Sequence, residues 1–242
     1  MITVITYKVN HFTIPGSDPK FISQLGADQL RTAFLKIVDR LKRRLDEVNV
    51  DATVFHNHDP KTGNPIIRYP LVLYTHKNEE FYITGLNEGA LALKSLMDML
   101  NYPVKMSREL VLTFELHNST ESELINTRTK NYYQITDWLP FEKEVYMESE
   151  SLPAGKLIKL FETKLTKHIV NDLGKYLEID LSKTKVEIIS FPISSLPYIS
   201  FSHKRKFKPF SFFFSTNADM PDFLCLGYEK AIGFGRLEKL NA

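Results

Sequence analysis

The segment Phe55-His56-Asn57-His58-Asp59 sets two imidazoles two positions apart. On an extended strand such side chains share a face, so the sequence predicts that His56 and His58 point the same way and Asn57 points opposite. Histidine titrates near neutrality and can pass a proton in either direction, so the pair suits general acid–base work. The same spacing is used by zinc, but zinc catalysis needs a third ligand and no downstream His-rich spacing identifies one. Metal chemistry therefore ranks well below proton transfer, and no metal or other cofactor is expected. Taken singly, either histidine is equally well explained as a strand-end residue meeting solvent or backbone. His168 falls near the apolar side of its helix and is most simply a packed core histidine, while His11, His76, His117 and His203 lie in strands or at their ends. Lys36 and Arg68 are candidate cations for this chemistry and Tyr69 a candidate orienting group, although Lys36 is also explained by solvation and Tyr69, just before Pro70, by packing.

Positive charge gathers in two places, against a formal net charge of only +2. Leu30 to Leu45 has six cations and the single acid Asp39, and Lys36, Arg40 and Arg43 line up at i, i+4 and i+7 on a helical wheel. Tyr198 to Ser215 carries Lys204, Arg205, Lys206 and Lys208 and no acid. Either run alone reads as a solvated face. Together they lie in a chain whose C-terminal segment holds Gly227, Gly233 and Gly235 within nine residues, with Lys230 and Arg236 as further cations and Phe234 between two of the glycines. Glycine admits positive φ and close backbone approach, so successive N–H groups there can form an anion-binding concavity. A nucleotide-binding fingerprint would need a following helix, which Leu237 to Leu240 is too short to supply.

The elements that must position these residues follow from periodicity. Ile2 to Thr13 alternates as a strand, and Leu30, Phe34, Ile37, Leu41, Leu45 and Val48 form one buried stripe of a helix over Ala27 to Val48. Strands are expected over Ala52–Asn57, Ile66–Thr75, Phe81–Thr84 and Leu110–His117, with a second helix over Glu88–Leu100. This is the order of a ferredoxin-like unit, two βαβ halves folded onto one sheet. After a polar stretch over residues 119–130, read as a linker, the pattern partly repeats: strand Tyr132–Leu139, helix Pro153–Leu177, then strands Lys185–Phe191, Tyr198–Phe201 and Phe210–Ser215. The second helix of this half is missing or very short, and its place falls at the Met220-Pro221-Asp222 turn and the glycines. The expected architecture is α+β: tandem ferredoxin-like domains with antiparallel sheets, residues 1–122 carrying the candidate catalytic residues and residues 123–242 the basic segment and glycine-rich loop. Phe210, Phe212 and Phe214 alternate with Ser211 and Ser215 and most simply form one buried face, with a row of base-stacking platforms as the minor alternative.

At 242 residues, 43% of them hydrophobic, the chain is long enough for two cores. The single cysteine, Cys225, excludes an intramolecular disulfide and any cysteine-based zinc site. No signal peptide and no long apolar run is apparent, so a soluble, cytoplasmic protein with no membrane partner is expected.

The string Phe212-Phe213-Phe214-Ser215-Thr216-Asn217, then Met220-Pro221-Asp222, then Leu226-Gly227 and Gly233-Phe234-Gly235 resembles the C-terminal region of the CRISPR-associated endoribonucleases that cut repeat RNA, particularly the b-type subgroup. In that family the segment reads like Gly-Leu-Gly-Lys followed by Gly-Phe-Gly; this chain has Cys225 for the first glycine, Tyr228 for the lysine, and Glu229 after it. Arg68-Tyr69-Pro70-Leu71 extends the resemblance, more loosely, into the N-terminal half. The resemblance implies tandem ferredoxin-like domains, CRISPR repeat RNA as partner, and metal-independent cleavage in which the ribose 2′-hydroxyl attacks the adjacent phosphate. That reaction needs a base, an acid and cations, roles that His56, His58, and Lys36 or Arg68 can fill with Tyr69 orienting. Arg40, Arg43, Arg68, Lys204, Arg205, Lys206, Lys208, Gly227, Lys230, Gly233, Phe234, Gly235 and Arg236 are the expected RNA contacts. An inactive RNA-retaining relative and a zinc-dependent hydrolase remain as alternatives, and homodimerisation and association with a CRISPR effector complex stay open.

Overall fold

The computed structural model describes residues 2–13, 27–56, 69–77, 80–100, 103–105, 110–122, 124–140, 152–190, 199–201, 205–207 and 209–240. They form two compact units, one of Met1–Ser122 with Ala231–Gly233, the other of Glu123–Lys230 with Phe234–Ala242.

In the first unit the strands are β1 (Ile2–Thr13), β2 (Val72–Lys77), β3 (Glu80–Leu86), β4 (Val104–Lys105) and β5 (Leu110–Ser122), with helices α1 (Ala27–Glu47) and α2 (Glu88–Met99). The sheet order is β2-β3-β1-β5-β4 and its pairings are antiparallel. Leaving aside the two-residue edge strand β4, this is the ferredoxin-like order, in which β1 and β3 occupy the centre. The expected stripe of α1 is buried at Leu30, Phe34, Ile37 and Leu45. Phe34 meets Phe55, Tyr74 and Phe114 edge-on, at centroid distances of 6.0, 5.7 and 5.9 Å. Val48 lies past the helix end and is 50% exposed, so the stripe is shorter than its periodicity suggests.

Two expectations fail here. The strand expected over Ala52–Asn57 is not found in its described part, Asn57 lying outside the described residues: Ala52–Phe55 is a single 3-10 turn capped by Asp51, whose carboxylate accepts from Thr53 N at 2.8 Å and Thr53 Oγ1 at 2.7 Å. A side-chain acceptor two residues upstream offers the backbone a turn in place of a ladder, and the alternating apolar residues are satisfied by packing inward at Val54 and Phe55. Nor do residues 119–130 form a loop. β5 continues to Ser122, with Thr120 opposite Val4 and Ser122 opposite Ile2, and β6 starts at Ile125. Ser and Thr are at home in an antiparallel ladder, so their polarity alone did not mark a linker.

The second unit repeats the topology with β6 (Ile125–Trp138), α3 (Ala154–Lys167), β7 (Val186–Ser190), β10 (Phe210–Asp219) and β11 (Arg236–Leu240) in the order β11-β6-β10-β7. β8 (Ile199–Phe201) and β9 (Arg205–Phe207) pair with each other as a separate ribbon inserted before β10. The second helix is replaced by the segment between β10 and β11, whose one helical element among the described residues is a 3-10 turn at Lys230–Ile232. α3 begins after Pro153 and passes into a π-helical stretch, His168–Gly174. Phe161, Leu165, Ile169 and Leu173 recur every four residues and all are buried. A wider π turn keeps such a spacing on one face longer than 3.6 residues per turn does. They close over Trp138, Tyr133, Phe212 and Phe214, with Trp138 edge-on to Phe161 at 5.4 Å and to Phe212 at 5.5 Å. Phe212 and Phe214 thus face inward, as one of the two readings of that strand expected. No helix among the described residues is long and apolar enough to cross a membrane.

Candidate active site

His56 follows the 3-10 turn in extended conformation (φ −101°, ψ 132°), its N–H donating to Thr53 O at 3.0 Å. The residue before it is anchored: Phe55 is fully buried and its carbonyl accepts from Tyr74 OH at 3.4 Å. The imidazole is 28% exposed, and its Nε2 lies 3.7 Å from Asp39 Oδ1 on α1, an ion pair whenever the ring carries its second proton. Lys36, Arg40 and Arg43 are exposed on the same helix, one turn or less from Asp39, and Arg43 makes a loose pair with Glu47 at 3.5 Å. The structure therefore brings His56 to the one acid within the basic stretch of α1. An imidazole beside a carboxylate, bordered by exposed cations, can move a proton where negative charge is gathering.

The remaining candidates are placed as follows. His58, Arg68, Lys204 and Lys208 lie outside the described residues, and Arg205 and Lys206 sit on β9 opposite Phe201 and Ser200. Tyr69 is buried at 2% exposure, three residues before the start of β2. Gly227, Gly233 and Gly235 all have positive φ, at 93°, 88° and 68°. At Gly227 a Cβ would fall 2.7 Å from Leu139 O and 2.9 Å from Trp138 Nε1, and at Gly235 it would collide with Leu226 O. Glycine is required here by the protein's own backbone, and the N–H groups of Leu226, Tyr228 and Gly235 donate to Gly235 O, Leu139 O and Asp137 O. Gly233, counted with the first unit, would put its Cβ 2.9 Å from Tyr74 O. Phe234 is half-buried. Lys230 Nζ is held by Asp172 at 2.6 Å, and Arg236 is 8% exposed, near Asp137 and Cys225. Burial pushes the Cys225 thiol up to about 12, so it holds its proton at neutral pH.

Two polar groupings escaped the sequence reading. Lys8 Nζ and Tyr82 OH both donate to the Glu80 carboxylate, each at 2.5 Å, and these hydrogen bonds hold its pKa below the usual range; the His117 ring meets Tyr82 at 5.0 Å. The register placing Lys8 opposite Tyr82 belongs to strand pairing, which no local pattern announces. The second lies around His168, where Trp138 Nε1 donates to Nδ1 at 3.2 Å and so leaves the ring proton on Nε2. Burial, helped by Lys230 and Lys164 against the opposing pull of Asp172, pushes this imidazole down to about 4 from 6.5. It packs edge-on against Trp138 and Tyr228 and is half-buried, at the margin of the core that its helical position suggests. The unfolded chain takes up a proton near 6.5 that the folded chain refuses until about 4, so stability is fully present above 6.5 and is lost as pH falls between these values, by at most about 3 kcal/mol. Urea melts are expected to show this decline, and His168→Gln to remove it; an unchanged slope in the variant would assign the acid lability elsewhere.

Among the described residues, no group of three or more His, Cys, Asp or Glu side chains is placed to hold a metal ion. Residues 8–122 match the family model of the Cas6b N-terminal domain. In sequence, no curated protein matches the chain. In fold it is similar to a crystal structure of Cas6b, with a TM-score of 0.67 at 18% identity over 99% of this chain and 100% of the other. It is also similar to a CRISPR RNA processing endoribonuclease Cas6b, with a TM-score of 0.61 at 16% identity over 98% and 100%. A third likeness is Csf5, a type IV Cas6 crRNA endonuclease, with a TM-score of 0.57 at 12% identity over 99% and 100%. The likeness extends over the tandem ferredoxin-like fold as a whole, and the sequence match covers the unit that carries His56 and α1. By sequence, the N-terminal half of the chain is thus similar to the N-terminal domain of Cas6b.

Proposed function

We propose that this protein is a metal-independent endoribonuclease that binds CRISPR repeat RNA and cuts precursor transcripts into guide RNAs. The observation that carries the reading is His56 beside Asp39 on the cationic face of α1, within the region similar to the Cas6b N-terminal domain. In the reaction, a base removes the proton of the ribose 2′-hydroxyl and that oxygen attacks the adjacent phosphorus. The bond from phosphorus to the 5′-oxygen then breaks, an acid protonates the leaving oxygen, and a 2′,3′-cyclic phosphate and a free 5′-hydroxyl result. His56 serves one proton transfer and His58 the other, Tyr69 orients, and Lys36 or Arg68 stabilises the charge building on phosphate. The likeness to proteins described as CRISPR RNA processing endoribonucleases supports the substrate class.

Incubation with labelled repeat RNA in EDTA tests the reading. Cutting in EDTA is expected. Binding without cutting would make the protein an RNA-retaining relative, and cutting only after metal is restored would make it a metal-dependent hydrolase. The cations of α1 have their own measurement. Neutralising two of Lys36, Arg40 and Arg43 is expected to weaken RNA binding and to flatten its salt dependence by roughly one unit of slope per lost phosphate contact. An unchanged slope would return these side chains to the role of a solvated helix face.

A further inference from the structure

We infer that the helix-free face of the second unit's sheet is a stacking platform for unpaired RNA bases, with Tyr132 and Phe213 as its two rings. Phe212 and Phe214 point to the α3 side and are buried, so the pleat turns Phe213 between them to the opposite face, where it is 39% exposed. On β6 the same alternation buries Tyr133 and Ile135 and turns out Tyr132, also 39% exposed, and Gln134. β6 and β10 are the central strands of the sheet. Phe213 pairs with Gln134 and Ser215 with Tyr132, which makes the two rings diagonal neighbours across the strand pair, within reach of adjacent bases. The sequence points to Phe210, Phe212 and Phe214 as the aromatic row; the structure spends two of those on the core and exposes a different pair.

Two large aromatics partly exposed on one face of a four-stranded ferredoxin-like sheet match the way RNA recognition modules stack two or three bases. The surroundings favour nucleic acid over a second protein surface. The rings lie beside Gln134 and the buried Ser215, whose partners on the flanking strands are Glu238 and Glu187; β6 itself has two cations, Arg128 and Lys130, and no acid from Ile125 to Thr136. Lys130 is paired with Glu187 at 2.5 Å, but both side chains are more than half exposed, a pairing weak enough for phosphate to compete with. Stacking of this kind tolerates sequence, because every base has a π face. The platform would hold an unpaired stretch of the transcript, and to that extent it rests on the RNA-processing reading above.

The test uses the full chain and a short unstructured RNA containing one 2-aminopurine. With the unaltered protein, binding is expected to quench the 2-aminopurine. Tyr132→Ala and Phe213→Ala are each expected to weaken binding about tenfold, while Tyr132→Phe and Phe213→Tyr retain it. The salt slope should stay constant throughout, since a ring releases no counterions. Unquenched binding by the unaltered protein, or an alanine pair that binds as tightly as the original, overturns the platform. So does a change in sedimentation without a change in RNA affinity, which would make this face a contact between copies. If the double alanine variant still cuts repeat RNA at the normal rate and affinity, the platform alone fails; if the unaltered protein neither binds nor cuts RNA, the RNA-processing reading fails and the platform with it.

Discussion

A repeat RNA with a single 2′-deoxyribose immediately before the cut is expected to remain intact while binding as the unmodified RNA does. The proposed reaction has one nucleophile, the 2′-oxygen of that ribose, and no water or metal-bound hydroxide can take its place in forming a cyclic phosphate. Removing one oxygen leaves every phosphate, base and cation contact unaltered, so the loss falls on chemistry alone. The measurement is a single-turnover time course with the modified and unmodified RNAs, paired with an affinity measurement for each. Cleavage of the deoxy substrate would remove the cyclic-phosphate mechanism whole, whichever residues were assigned to it.

The other large effect belongs to the histidines. His56→Ala is expected to slow single-turnover cleavage by roughly a hundredfold to ten-thousandfold, the usual worth of a positioned proton-transfer group, with RNA affinity nearly unchanged. Affinity should hold because the phosphate contacts assigned to α1 come from Lys36, Arg40 and Arg43, which project from the helix independently of the 3-10 turn that carries His56. Stability should hold too, since the imidazole is partly exposed and the anchoring contacts around it are made by Phe55 and Tyr74. Changing His58 as well separates the two proton transfers. If the double alanine variant cuts at the normal rate, the assignment is wrong. The Lys8, Glu80, Tyr82 and His117 group on the sheet of the same unit then becomes the next place to look.

What was legible in the sequence was whatever repeats at the period of a single element. The stripe of α1, the alternation of β1 and the inward faces of Phe212 and Phe214 all follow from side-chain spacing along one segment, and burial then finds them where the pattern puts them. The tandem ferredoxin-like order was legible for the same reason, because that topology is a succession of such segments. Elements whose conformation depends on competition were misread: Asp51 captures Thr53 N and turns a strand-like run into a 3-10 turn, and Ser and Thr at the end of β5 join a ladder whose partner is more than a hundred residues away. The candidate site divides along the same line. His56 and the cations of α1 could be chosen by chemical type and local spacing, but the carboxylate 3.7 Å from the imidazole could not. Which partner a side chain meets across a sheet or from a neighbouring helix is decided by register and packing, and neither is written within a window of residues. The same physics governs the glycines and the rings. Their types mark Gly227 and Gly235 as special, yet only tertiary contact shows that Leu139 and Leu226 demand them, and only the pleat of β6 and β10 decides that Tyr132 and Phe213 face outward.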